Sequence, residues 1–227
     1  MEIRPMTNIK HHLTDDVLLA YCTGTLPEAF SLVVATHISL CETCRSHMDT
    51  LDALGGVVIE ETPKAAMSSG SLEACLKMAE SMPKDPIKME AAGKPKRQKS
   101  AGLFPAPLQD YVGGDLDAVR WRPIGLGVKQ AILKTSRDAS VRLLYIPTGA
   151  AMPDHTHNGT EMTLVLQGAF QDESDYFGAG DVEIAGEEMN HTPVAVGPVD
   201  CICLAASDAP LKFNGILPKV LQPFFRI

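Results

Sequence analysis

Residues 149–161 read Gly-Ala-Ala-Met-Pro-Asp-His-Thr-His-Asn-Gly-Thr-Glu, and this stretch decides the fold predicted for the second half of the chain. Side chains of a β-strand alternate between its two faces, so His155 and His157 project from the same face. A turn through Asn158-Gly159 returns Glu161 to the same cavity, and His191 follows later in the chain. Three imidazoles and one carboxylate suit a first-row divalent ion, so the pattern predicts a metal site.

The residues around this stretch predict β-structure. Short runs rich in branched side chains occupy 141–146, 162–166, 181–184 and 201–204, with glycine and proline turns between them. Such a succession is typical of an all-β sandwich or barrel. We therefore expect residues 105–227 to form one β-domain.

The first 82 residues predict helices instead. Thr14, followed by two aspartates, predicts the cap of a first helix. A capping box at 25–28 predicts the start of a second helix, which runs to about residue 40. A third helix is predicted over 42–54, ended by the glycine pair that follows, and a fourth begins at Ser71. Four helices in so short a segment make a small bundle with a thin core.

The helical part carries a second metal pattern, His37-x₃-Cys41-x₂-Cys44. Residues four apart lie on one face of a helix, and a helix break near Cys41 would bring in Cys44 from the next helix. Zinc prefers four such ligands in a tetrahedron. The candidates for the fourth ligand are His12, just before the first helix, and its rivals His11 and His47. The bland alternative is two buried thiols beside a surface histidine.

Charge is distributed unevenly along the chain. The total of −8 divides into −6 for residues 1–82 (5 basic, 11 acidic), +4 for 83–100 (6 basic, 2 acidic) and −6 for 101–227 (9 basic, 15 acidic). The basic piece contains prolines and few bulky apolar residues, so it predicts a flexible linker over 83–104. Its lysines are expected to be solvated rather than to bind nucleic acid.

Composition excludes several classes of function. An acidic protein repels the phosphate backbone, so direct binding to nucleic acid is not expected. No apolar run reaches the roughly 20 residues that span a bilayer, and the N-terminus lacks a secretory signal, so we expect no membrane partner and a cytoplasmic location. Six cysteines in 227 residues do not make a disulfide scaffold. Cys201 and Cys203 share one strand face, as two small core residues or as a redox pair.

The N-terminal pattern resembles the zinc-binding anti-sigma domain. The matching residues are His11-His-Leu-Thr-Asp-Asp-Val-Leu-Leu-Ala-Tyr, Gly24-Thr-Leu, 29–37 and Cys41-Glu-Thr-Cys44. The resemblance covers about residues 1–80 and implies that zinc is bound by His12, His37, Cys41 and Cys44.

The C-terminal pattern resembles the first motif of the cupin superfamily, a small β-barrel with its metal inside. The resemblance implies that His155, His157, Glu161 and His191 bind one divalent metal, either zinc or iron, manganese or nickel. The second motif departs from the family, since Gly186, Glu188 and Ala195 stand where proline, glycine and asparagine are usual. We expect the acidic residues flanking this motif, Glu183, Glu187 and Glu188, to be solvated.

Together the two halves resemble the ChrR-type anti-sigma factors over essentially the whole chain. The expected fold class is α+β in two separate domains, a zinc-bearing helical bundle over 1–82 and an all-β cupin barrel over 105–227. The resemblance implies an anti-sigma factor without catalytic residues, which inhibits an extracytoplasmic-function-type sigma factor. It also implies that oxidative stress, singlet oxygen or organic peroxide, is sensed by the metal-bound cupin and releases the sigma factor.

Alternative functions follow from the same residues. The chain could be a dioxygenase-like cupin metalloenzyme with a zinc-bundle docking domain, or a module that senses a small ligand without oxidation. For the anti-sigma function, apolar faces on two helices are candidates for docking to the sigma factor, although each residue could equally belong to the bundle core. These candidates are Val17, Leu18 and Tyr21 on the first helix and Leu72, Leu76 and Ala79 on the fourth.

Overall fold

The structure, a computed structural model, describes residues 9–82, 102–156 and 158–210, together with the backbone of 212–213. Helices come first along the chain and strands follow. The helices are α1 (Asp15–Cys22), α2 (Glu28–Ile38), α3 (Glu42–Glu61), α4 (Ser71–Ser81) and α5 (Ala106–Val112), with a 3₁₀ turn at Leu116–Ala118. The strands are β1 (Arg122–Gly125), β2 (Val128–Leu133), β3 (Ser140–Ile146), β4 (His155–Thr156), β5 (Glu161–Gln167), β6 (Ala169–Gln171), β7 (Tyr176–Gly178), β8 (Val182–Ala185), β9 (Asn190–His191), β10 (Val194–Val196), β11 (Cys201–Ser207) and β12 (Lys212–Phe213).

The start of α1 agrees with the sequence, and the start of α2 does not. Thr14 caps α1, its hydroxyl accepting a hydrogen bond from the Val17 amide at 3.4 Å. At α2 the predicted capping box is wrong, because the Thr25 hydroxyl donates to the Ala20 carbonyl instead. The Glu28 carboxylate instead contacts the second half of the chain. It accepts hydrogen bonds from the Tyr111 hydroxyl (2.7 Å) and the Ser136 amide (2.6 Å).

The glycine pair 55–56 does not end the third helix, which continues to Glu61. A glycine costs roughly 0.5–1 kcal/mol in a helix and ends it reliably only in the left-handed conformation, which neither glycine adopts. The predicted four-helix bundle is also wrong in one respect, since α4 has no buried residue. Among the described helices of this part, α1, α2 and the start of α3 supply the buried residues.

The β-strands form three antiparallel sheets. The largest has six strands in the order β1-β2-β3-β11-β5-β8, and the others have the orders β10-β6-β7 and β12-β4-β9. Alternation along β11 sends Ile202 and Leu204 to one face and Cys201 and Cys203 to the other. The second of these faces lines the interior of the barrel.

The outer face of the large sheet is not solvated, because α2 packs on β3, β5 and β11. One continuous apolar core therefore joins helix and sheet. It includes Phe30, Val33 and Val34 from α2 with Leu164 and Leu204 from the sheet, each of them buried. The N-terminal helices and the barrel share this core rather than each closing its own.

The predicted fold class, α+β with a helical part followed by a cupin barrel, is confirmed. Most of the predicted linker, residues 83–101, lies outside the described residues, and the domain boundaries stay a prediction. Phe104, assigned to the linker from sequence, is only 1 % exposed and belongs to the shared core. Within the described part of the chain, no helix combines the length and apolar character needed to cross a membrane.

We expect Leu164→Ala to lower the free energy of unfolding by about 2–5 kcal/mol, because it opens a cavity in the shared core. The denaturation midpoints of the sheet, followed by Trp121 fluorescence, and of the helices, followed by far-UV circular dichroism, should fall together. Val199→Ala, at a side chain 48 % exposed, is the control and should change stability by about 0.5 kcal/mol or less. A midpoint that falls for the sheet alone would contradict the shared core.

Candidate metal centres

Four side chains of the helical part converge on one point. The ligand atoms of His12, His37, Cys41 and Cys44 all lie within 4.8 Å of one another. His37 Nε2 lies 3.3 Å from Cys44 Sγ, and His12 Nδ1 lies 3.2 Å from Cys41 Sγ and 3.7 Å from Cys44 Sγ. A tetrahedral zinc ion with bonds of roughly 2.0–2.3 Å separates its ligands by roughly 3.3–3.8 Å. The spacing and the two-histidine, two-cysteine donor set both fit zinc.

Local structure explains this convergence. His37 lies in the last turn of α2, and this helix ends before Cys41. Cys41 is the N-cap of α3. Cys41 Sγ accepts a hydrogen bond from the Cys44 amide at 3.4 Å, so the turn that starts α3 also places both thiols. The break that the sequence suggested near Cys41 is the geometry observed.

The two rival histidines point elsewhere. The His11 ring packs against Phe177 in a tilted arrangement with ring centroids 4.4 Å apart, and its Nε2 lies 3.1 Å from Asp175. His47 lies on the exposed side of α3, 3.7 Å from Asp15. Neither ring belongs to the cluster, which leaves His12 as the histidine that completes it.

The protonation states of the cluster favour metal binding in part. Burial lowers the pKa of His37 to about 4, so its ring is neutral at pH 7, which is the form that binds a metal. Burial raises the pKa of Cys44 to about 11, so without a metal this thiol keeps its proton. Zinc binding therefore releases protons here, and binding should weaken as the pH falls.

The second nitrogen of His37 connects the cluster to the barrel. Its Nδ1–H donates to the Gly180 carbonyl at 3.0 Å, across 143 residues of sequence. Histidine ligands are usually oriented by such a bond, which fixes the tautomer and leaves Nε2 free for the metal. The carbonyl that orients a ligand in the helical part thus comes from the turn between β7 and β8.

A cavity of about 800 Å³ occupies the interior of the barrel. Its polar lining includes Arg142, Glu161, Glu183, His191 and Cys203, and apolar side chains complete the wall. A concave space with a few converging polar groups is the usual form of a ligand or metal site.

Two of the four predicted cupin ligands line this cavity, Glu161 and His191. The ladder between β4 and β9 pairs the backbone of His155 with that of His191. The side chain of His155 and the whole of His157 lie outside the described residues. The four-ligand set stays a prediction, supported by two side chains and one backbone position.

Glu161 is held in a mixed environment at the start of β5. Burial raises the pKa of its carboxyl, while the charges of His191 and Arg142 and the Thr163 hydroxyl act to lower it. The hydroxyl lies 3.3 Å from Glu161 Oε1. A cation in the cavity would favour the carboxylate form in the same way that these positive groups do.

Sequence reasoning missed two acidic partners of His191. Its Nδ1 lies 2.8 Å from Asp172 Oδ2 and 3.3 Å from Glu183 Oε1. The expectation that Glu183 is solvated is wrong, because its side chain is only 5 % exposed, whereas Glu187 and Glu188 are exposed. Alternation in β8 could have shown this, since Val182 packs in the outer core and Glu183 must face inward.

Asp172, Glu183 and His191 shift one another's pKa values. Burial opposes the imidazolium, yet Glu183 and Asp172 raise the pKa of His191 to about 9 in the metal-free protein. Burial raises the pKa of Glu183 to about 7. Burial acts to raise the pKa of Asp172 as well, but hydrogen bonds from Glu183, Ser174 and His191 bring it below its usual range. Asp172 thus orients His191 from behind, and the other ring nitrogen stays available to a ligand.

Cys201 and Cys203 lie on the inner face of β11, as their spacing predicted. Their sulfur atoms are 3.3 Å apart, both side chains are buried, and Cys203 lines the cavity. The hydrogen bond with Cys201 raises the pKa of Cys203, and burial raises it further. A protonated, buried thiol is a poor nucleophile, so this pair packs the wall in the resting state.

Comparison with known proteins agrees with both halves of the chain. The family model of the ChrR cupin-like domain matches residues 109–209. The chain is 56% identical over 219 residues to the anti-sigma-E factor ChrR of Cereibacter sphaeroides, covering 96% of this chain and 99% of that protein.

The solved structure of a complex shows the same relationship. The crystal structure of Rhodobacter sphaeroides SigE in complex with the anti-sigma ChrR matches with 53% identity and a TM-score of 0.73, covering 88% of this chain and 100% of the matched chain. An RmlC-like cupin protein from Ralstonia eutropha JMP134 matches with 26% identity over 45% of this chain and 71% of its own, with a TM-score of 0.39.

We expect Cys44→Ser to remove one equivalent of zinc per chain, because it replaces a thiolate ligand at the cluster. Metal analysis of the purified full-length protein measures the loss. Cys75→Ser changes an exposed cysteine outside the cluster and should keep the wild-type zinc content. Equal zinc content in the two variants would contradict the assignment.

Proposed function

Since the chain belongs to the ChrR family of anti-sigma factors, we propose that it binds and inhibits an extracytoplasmic-function-type sigma factor. Its close relative over nearly the whole chain is a regulator rather than an enzyme, so the dioxygenase alternative is set aside. The matched solved structure is itself a complex with a sigma factor, SigE. Bound sigma factor would be kept from core RNA polymerase, and we therefore propose that the protein acts in the cytoplasm.

The observation that carries this proposal is an apolar surface without a partner. We define the docking surface as the exposed apolar side chains of the second half of α3, of α4 and of the residue that caps α4. Its members are Leu54, Val57, Val58, Ile59, Leu72, Leu76, Met78 and Met82, which are 49 to 76 % exposed. Large apolar side chains exposed in this number are typical of helices that another protein covers.

The first helix belongs to the core, although its sequence left open a role in docking to the sigma factor. Leu18 is fully buried in the shared core, and Val17 and Tyr21 pack against it. Leu72 and Leu76 on α4 are 64 % and 54 % exposed. Of the two candidate docking faces, α4 is therefore the one free to bind a sigma factor.

Charge supports the same partner. Residues 1–82 carry a net charge of −6, from 5 basic and 11 acidic side chains. Sigma factors bind DNA and tend to be basic, so opposite fields would speed the encounter between the two proteins. The apolar docking surface would then supply most of the affinity.

Zinc has a structural role in this scheme. The His12, His37, Cys41 and Cys44 cluster holds the end of α2 and the start of α3 together with the segment before α1. Four protein ligands leave zinc no open position for chemistry. Binding free energy of the metal is at the same time folding free energy for this small helical unit.

The cupin cavity is proposed as the sensor of oxidative stress, either singlet oxygen or an organic peroxide. It would hold one divalent metal, zinc or alternatively iron, manganese or nickel, through His155, His157, Glu161 and His191. Oxidisable groups line or border it, including His191 and the close thiols Cys201 and Cys203. Modification inside the cavity would loosen the inhibitory contacts and release the sigma factor.

We expect the double substitution Leu72→Glu and Leu76→Glu to weaken sigma-factor binding by at least about 2 kcal/mol, roughly 30-fold, because it places two charges in the centre of the docking surface. Full-length protein is used throughout, because the helices and the barrel share one core. The wild type first captures the sigma factor from native extract, and calorimetry with the captured sigma factor then measures binding by each variant.

The control for this measurement is Val199→Glu, which adds a charge at an exposed position of the barrel. It should bind as the wild type does. A zinc-loaded, folded wild type that captures no sigma factor would overturn the proposed function, and unchanged binding by the double variant would move the docking surface elsewhere.

We expect Glu161→Ala to keep sigma-factor binding at rest and to lose release on treatment with singlet oxygen or an organic hydroperoxide, because it removes a predicted ligand of the sensing metal. Transcription from a promoter dependent on the sigma factor measures release. Glu187→Ala, at an exposed neighbour of the second motif, should respond normally. Normal induction in Glu161→Ala would exclude the metal from sensing.

A further inference from the structure

The two candidate metal centres lie in different halves of the chain, and a series of short polar contacts joins them. The series starts at His191 in the barrel cavity and ends at His12 and His37 in the zinc cluster. It passes through residues 172–182, which contain β7 and the turns on either side of it. We call these residues the coupling hairpin.

The first contact is made by Asp172, whose side chain is fully buried. One oxygen, Oδ2, accepts from His191 Nδ1 at 2.8 Å. The other, Oδ1, accepts from the Ser174 amide (2.8 Å), the Ser174 hydroxyl (2.6 Å) and the Asp175 amide (3.1 Å). A single carboxylate therefore fixes both the ring of His191 and the turn that holds Asp175.

The second contact leaves the barrel through Asp175. Its Oδ2 lies 3.1 Å from His11 Nε2, and the His11 ring also packs against Phe177 of β7. His11 directly precedes the zinc ligand His12 in sequence. The position of the 172–175 turn thus bears directly on the backbone that presents His12.

The third set of contacts fixes the same backbone from the other end of the hairpin. Asp181 Oδ1 accepts from the amides of Lys10 (2.6 Å) and His11 (3.0 Å). The Val182 amide donates to the His11 carbonyl at 3.2 Å. The adjacent Gly180 carbonyl accepts from His37 Nδ1. The coupling hairpin thus orients the His37 ring directly and fixes the backbone that immediately precedes His12.

We propose that the coupling hairpin transmits a change at His191 in the barrel cavity to the zinc cluster of the anti-sigma domain, with Asp172 and Asp175 as its positioning residues. This inference rests on the proposed function, since it names the route by which sensing would reach the sigma-binding helices. When His191 turns, Asp172 loses the partner of Oδ2 and the turn holding Asp175 loosens. The contacts that orient His12 and His37 weaken in consequence.

This route differs from a covalent one. The 83–101 segment joins the two halves along the chain, but the coupling hairpin joins them through hydrogen bonds of side chains and backbone groups. Both ends of the hairpin are fixed in the interior, because Asp172 and Asp181 are buried. Between them the Asp175 side chain is 62 % exposed, so that step depends on its contact with His11.

The test measures the zinc cluster while the perturbation is made in the cavity. Cobalt(II) in the cluster gives a thiolate-to-metal absorption band, which a cavity site made of histidines and a glutamate does not give. The rate of cobalt loss to excess chelator is measured on full-length wild type, His191→Ala, Asp175→Asn and the double variant. No sigma factor is needed.

We expect His191→Ala and Asp175→Asn each to speed cobalt loss about 10-fold, the lower end of what loss of an outer partner costs a metal site. The double variant should lose cobalt no faster than the faster single variant, because both changes interrupt one route. Asp172→Asn should act like His191→Ala, since it keeps an oxygen for the turn and loses the acceptor for His191. Asp117→Asn, at an exposed aspartate away from the hairpin, is the matched control.

Two results would overturn the inference. One is cobalt loss at the wild-type rate in both His191→Ala and Asp172→Asn. The other is a double variant whose rate is the product of the two single effects, which would mean two independent supports. Sigma-factor binding by the wild type, measured in parallel, separates this outcome from failure of the proposed function.

Discussion

Helix α2 satisfies two demands at once, and the rest of the structure depends on it. Its apolar side chains, such as Val33 and Val34, complete the core that covers the outer face of the large sheet. Its last turn carries His37, which contacts the zinc cluster with one ring nitrogen and the Gly180 carbonyl with the other. A helix fixed at so many points cannot move without disturbing both the barrel and the cluster, so the two halves of the chain share one mechanical element.

Local patterns were sufficient for much of this structure. The zinc cluster could be predicted because three of its members lie within eight residues and one helix break brings them together. The strands could be predicted from alternation and turn residues, and the barrel from the motif at 149–161. In each case the residues that interact are close in sequence, so spacing alone constrains their geometry.

Features that depend on distant contacts could not be predicted in this way. Asp172 contacts His191 across 19 residues, and Glu28 leaves its expected cap to bind Ser136 across 108 residues. A carboxylate can satisfy its charge at a helix end or at a distant amide, and the tertiary fold selects between them. For the fourth helix the sequence left both roles open, packing in the bundle and docking to a partner, since apolar spacing shows that a face will be covered but not by which chain.

The 143-residue separation of His37 from Gly180 also has a consequence for biosynthesis. The four zinc ligands leave the ribosome early, whereas the carbonyl that orients His37 follows about 7 to 30 s later at ordinary translation rates of roughly 5–20 residues per second. During that interval the nascent helices can take up metal but have no sheet to pack against. The helical part is therefore complete only once the barrel has been made, so a truncated product would carry ligands without their support.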